Sequence, residues 1–243
     1  MEDLNMPDEH NGPPTDKKNG GVKDSGKERQ TAKPSTNFKG VIFTPSDEPY
    51  LGRQSVFHFD QLISAVMETN FRVAPLTRMP MTDLQKAATM LIPQGISLSL
   101  GIRELVRQGY LFSAAVLLRP LMERTAIIAY LRANPSAITI WESGWKFRER
   151  PSLATMLQTI SGQRVDLVKA KLMCDTLNHL VHGDPMSSDY NLVELGEAGM
   201  GYAPSKITNA PDVCDFVCFG AIPWLVVLQG MMLALFLQDA PVQ

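Results

Sequence analysis

Two short segments carry residues able to do chemistry. The first is Leu117-Leu118-Arg119-Pro120-Leu121-Met122-Glu123, where Arg119 and Glu123 stand four apart in an apolar run. On a helix that spacing sets them about 40° apart around the axis, on one stripe with Val116, Ile127 and Tyr130. A charge held among such neighbours must be paired, or its pKa must shift. One reading is a self-satisfied ion pair that fixes packing, or a pair partly open to solvent. The other is a polar pocket in which Arg119 binds a phosphate or carboxylate and Glu123 acts as a base.

The second segment is Leu177-Asn178-His179-Leu180-Val181-His182-Gly183-Asp184-Pro185. Asn178 and His182 are four apart, His179 and His182 three apart, and Asp184 follows at once. All gather near one helix end, where the dipole favours a histidinium and Gly183 suits the position just past the terminus. The catalytic candidates are Arg119, Glu123, Asn178 and His182; the ligand-binding candidates are Arg119, His179 and Asp184. His179, His182 and Asp184 are also metal-ligand types, but their spacing is not a standard one and no fourth ligand is visible, so no metal or cofactor is assigned. Cys214 and Cys218, four apart, read as core thiols. The sequence has no glycine-rich phosphate loop, GxSxG elbow or HExxH helix, and 196–201 is merely glycine-rich.

The elements that must position these groups are helices. Val56, Phe59, Ile63, Val66 and Phe71 predict a helix over 56–71. Thr82 is a good N-cap for a long helix, 83–108, with Pro93 and Gly95 as a kink and Gly109 as its stop. Over 110–132, Leu111, Ala115, Leu118, Met122, Thr125 and Ala129 form one stripe and Val116, Ile127 and Tyr130 a second, so this helix is expected to be buried on most sides. Asn134 and Pro135 predict a helix carrying Ile138, Trp141 and Trp145. Pro151 and Ser152 open a short helix to Ile160. Another runs from Gln163 to Val181 and stops at His182-Gly183-Asp184-Pro185. A loop, 185–211, holds a small hairpin at 190–195 and 200–203, and Asp212 opens the last helix. The expected fold is all-α, a single bundle of six to seven helices.

Composition sets the limits of that bundle. Between Met1 and Asn37 the apolar residues are Met1, Leu4, Met6, Val22 and Ala32, too few to offset ordering the backbone. Residues 1–50 are therefore expected to be a disordered N-terminal tail, and 51–240 the bundle. The apolar knot Phe38–Phe43 could dock on it. Residues 51–243 carry sixteen acids and sixteen bases, a neutrality that argues against a strong polyanion surface. Residues 101–172 nonetheless hold eleven bases against five acids, and 173–243 one base, Lys206, against eight acids. Either the two halves attract each other, or the middle helices offer a basic patch to RNA. Three cysteines in apolar contexts, with no secretory signal, suit a reducing cytoplasm. Residues 216–238 contain no charge. That length can cross a bilayer, but Gly220, Pro223, Gln229 and Gly230 interrupt it and no Lys or Arg flanks it. A core helix and a membrane anchor through 216–238 both remain open. Homo-oligomerisation is expected from the apolar excess.

At the two segments the chain resembles an uncharacterised family of bacterial all-helical domains that combine an LLRxLxE helix with a later helix ending in His. The matching residues are Gly109, Leu117–Glu123, Tyr130-Leu131 and Leu177–Gly183, within a likeness over about 95–235. That resemblance implies a bundle in which Arg119, Glu123 and His182 approach each other, and it brings no reaction. A more distant similarity is to the HEPN superfamily, which includes metal-independent RNases of defence and toxin systems. In those, a His four to six residues after an Arg acts on the ribose 2′-OH or the leaving oxygen, and the Arg stabilises phosphate charge. Here Thr176, Leu177 and Asn178 stand where that Arg would be, so Arg119 from another helix would have to supply it. The expectations are an interaction or regulatory module with an Arg/Glu/His pocket for a small anionic ligand, or a HEPN-like endoribonuclease, or a C-terminally anchored membrane protein.

Overall fold

A computed structural model describes residues 48–146, 148–160, 166–185, 187, 192–194, 197, 199–202 and 207–237. These form an all-α bundle: α1 (Gln54–Val73), α2 (Asp83–Gln108), α3 (Leu111–Ala133), α4 (Ala137–Glu142), α5 (Leu153–Gln158), α6 (Leu167–His182) and α7 (Pro211–Met232). A 3₁₀ turn, Ala74–Arg78, follows α1, and a π turn, Leu233–Leu237, extends α7. The expected hairpin is present as β1 (Leu192–Glu194) and β2 (Met200–Tyr202), antiparallel with Val193 opposite Gly201. Residues 1–47 of the expected tail 1–50, the Phe38–Phe43 knot within them, the Gln163 helix start and Lys206 lie outside the described residues. The domain starts earlier than residue 51. Tyr50 is buried, donates its hydroxyl proton to the Ile207 carbonyl (2.7 Å) and accepts from the Ala210 N–H (3.3 Å).

Local chemistry sets the helix ends. Thr82 Oγ1 accepts from the Gln85 N–H while Gln85 Oε1 accepts from the Thr82 N–H, a reciprocal cap. Asp166 caps α6, accepting from the Val168 and Lys169 N–H groups. Gly109 and Gly183 take the left-handed conformation that ends α2 and α6. The helix expected at Pro135 begins instead at Ala137. The Asn134 amide turns back to the Tyr130 carbonyl, and Trp145 falls beyond the helix, edge-on to Tyr130. Gly144, at φ 80°, lies between the end of α4 and that tryptophan.

The core lies where α3 and α7 cross α2 and α1. All six residues of the first α3 stripe are buried. α7 buries Cys214, Val217, Cys218, Ala221, Trp224, Leu225, Leu228, Met231 and Met232. Its Gln229 amide donates to Thr69 Oγ1 and the Ala65 carbonyl on α1. It packs against α1, α2 and α3 in this bundle, and 27 residues from Pro211 to Leu237 are also long and apolar enough to cross a membrane, 56% of the most apolar stretch being buried. Gly95 and Gly220 allow the tightest crossings: a Cβ would lie 2.9 Å from Leu228 Cδ2 and 3.1 Å from Leu118 Cδ1, respectively.

Candidate functional site

Arg119 projects from the one side of α3 that the core does not fully cover; its side chain is 21% exposed and that of Glu123 20%. The setting is therefore half-open, the partly solvent-exposed pair that the spacing allowed rather than a fully buried one. Arg119 Nε donates to Glu123 Oε1 (3.1 Å), and Nη1 donates to Asn178 Oδ1 (2.5 Å) and toward the Cys174 carbonyl (3.5 Å). Glu123 Oε2 accepts from Arg150 Nη2 at 3.2 Å, with Arg124 Nη1 3.9 Å away. One carboxylate thus draws three guanidinium groups, and α3, α6 and the segment before α5 meet there. This node can tie helices together and attract an anion, since three positive charges face one negative.

Hydrogen bonds join Arg119 to Glu123 and Asn178, and none joins His182 to them among the described residues. The His182 side chain is exposed at the end of α6, one turn beyond Asn178, and makes no hydrogen bond among the described residues. The bonded cluster thus holds the guanidinium, the carboxylate and the Asn178 amide, with the imidazole standing one turn further along α6. His179 Nδ1 lies 3.1 Å from Asp184 Oδ2, and the Gly183 and Asp184 N–H groups both donate to the His179 carbonyl. His179 and Asp184 thus close the helix end. Among the described residues no group of three His, Cys, Asp or Glu gathers to hold a metal ion.

Sequence spacing missed two other polar junctions. Arg53 holds Asp215 through Nε (2.9 Å) and Nη2, and Ser55 donates to the same carboxylate. The Arg53 hydrogen bonds, helped by that of Ser55, hold the Asp215 carboxyl below its ordinary range. Arg103 pairs with Asp60 and Glu48. The available signal was Asp215 itself, the last charge before the uncharged run 216–238. Cys174, Cys214 and Cys218 are buried free thiols. Burial pushes Cys174 up, and the bond to Cys214 followed by burial pushes Cys218 far up, so neither is primed as a nucleophile. No family model, curated protein or solved structure matches this chain.

Proposed function

We propose that this chain is a cytosolic helical interaction or regulatory module whose Arg119–Glu123–Asn178 node organises the packing of α6 on α3. The observation that carries this reading is the engagement of Arg119. Its guanidinium is taken by a carboxylate, an amide oxygen and a main-chain carbonyl, which leaves it poorly placed to receive a scissile phosphate. Meanwhile large apolar side chains stand in solvent, among them Val168 and Leu172 on α6 and Phe219 and Val226 on α7, as partner-binding surfaces do. A small anionic ligand would enter by competing with Glu123 for Arg119, Arg124 and Arg150. The packing of α7 supports its role as a core helix, because withdrawing it into a bilayer would open the core.

A HEPN-like, metal-independent endoribonuclease is the second reading. It is favoured by one observation: the bond from Arg119 to Asn178 sets the guanidinium one turn away from His182 on α6. Incubation of labelled single-stranded RNA with the full chain in EDTA separates the two. The module reading expects no cleavage that depends on these residues. Cleavage lost in both Arg119→Ala and His182→Ala, with folding retained, would replace it.

A further inference from the structure

The outward side of α7 has features that its own fold does not use. Phe219, Pro223, Val226 and Gly230 are exposed, Phe219 and Val226 each by 51%, and they recur at spacings of four, three and four. Leu233 continues the line, half-buried. Gly230 is the informative member. Glycine inside a helix costs about 1 kcal/mol relative to alanine. At Gly95 and Gly220, and less tightly at Gly101, a neighbouring side chain fills the space a Cβ would need, whereas at Gly230 nothing lies within 4 Å. The bundle itself therefore gives no packing reason for that glycine, and a surface approaching from outside would.

We infer that this strip is a symmetric interface with a second copy of the same chain. The inference rests on the interaction-module reading and names its partner. Antiparallel pairing of two α7 helices about Val226 would set Phe219 against Leu233 and the Pro223 region against Gly230. Bulk then meets a gap on both sides of the two-fold axis, which is what an isologous contact needs. No charge interrupts 216–238, so the copies meet without like-charge repulsion. The flanking charges are paired, Asp166 with Lys169 on α6 and Asp215 with Arg53 on α1. They offer no basic belt to an anionic lipid surface. A hollow of about 310 Å³, lined by Ala170, Met173, Phe219, Pro223 and Trp224 and by the paired Asp166 and Lys169, widens the face toward α6. From Phe219 to Leu233 the strip is about 21 Å long, and with the α6 side about 20 Å wide, which offers on the order of 400 Å² per copy, the size of a weak, reversible interface.

The test uses the full chain in light scattering at micromolar concentration, with Val226→Glu and Val226→Lys, circular dichroism confirming that each variant is folded. The wild type is expected at twice the 26.9 kDa chain mass, each variant alone at the single mass, and their equimolar mixture again at twice the mass. A monomeric wild type, a Val226→Glu variant that stays dimeric, or a mixture that fails to re-associate overturns the proposal. So does a monomeric wild type that floats with neutral phosphatidylcholine vesicles, which would assign the strip to a membrane. None of these results produces RNA cleavage, so loss of the dimer and loss of the module reading are distinguishable.

Discussion

Replacing Glu123 by alanine tests whether the Arg119 node is a buried charge pair or a half-open tie. The change removes the acceptor of Arg119 Nε at 3.1 Å and of Arg150 Nη2 at 3.2 Å. Breaking a fully buried pair costs about 3–5 kcal/mol, and an exposed one about 0.2–1 kcal/mol. Both side chains here are about one-fifth exposed, and Arg119 keeps Asn178 Oδ1 and the Cys174 carbonyl as acceptors. The expected loss is therefore about 1.5 kcal/mol, a fall in Tm of about 3–6 °C for a domain of this size. Urea unfolding followed by circular dichroism measures it. Asn178→Ala should cost more in the Glu123→Ala background than in the wild type, because it then removes the last side-chain acceptor of Arg119. An unchanged midpoint, or a loss above about 4 kcal/mol, would refute the half-open geometry.

Tyr50→Phe strips a partner from the Ile207 carbonyl and the Ala210 N–H and is expected to destabilise by about 1–3 kcal/mol in denaturant melts. Thr82→Ala removes one half of the reciprocal cap on α2 and should cost about 1 kcal/mol, seen as a lower midpoint with an unchanged urea slope. Hydrogen bonds from Arg107 and Gln108 hold the Glu104 carboxyl at about 2, and Arg53 lowers Asp215. Both groups bind protons more readily in the unfolded chain, so their stabilisation is present above the ordinary carboxylate range and is lost as pH falls toward about 2. Glu104→Gln and Asp215→Asn should each flatten the acid side of a Tm-against-pH curve.

Much of the fold was legible because its signals are local. The Thr82 cap and the left-handed glycines at 109 and 183 act on N–H and C=O groups within a few residues. Neighbouring residues are enough to read them. The first apolar stripe of α3 named its buried side for the same reason. The start of α4 was misplaced because Asn134, a good cap in principle, turns its amide back to Tyr130 instead. The hairpin fell within the expected segments, with Leu192 opposite Tyr202 and Glu194 opposite Met200.

By itself, then, the sequence determined that the chain makes helices, where most of them end, and that Arg119 and Glu123 face the same way. Only the tertiary structure decided what those side chains meet. Asn178 lies 59 positions from Arg119, and Asp215 lies 162 from Arg53. Such pairs depend on the angle and depth at which helices cross, which many weak apolar contacts set together. The same crossings put α7 into the core and left His182 at a helix end in solvent. A spacing of four along one helix specifies a direction, whereas burial depends on the helix that packs against it.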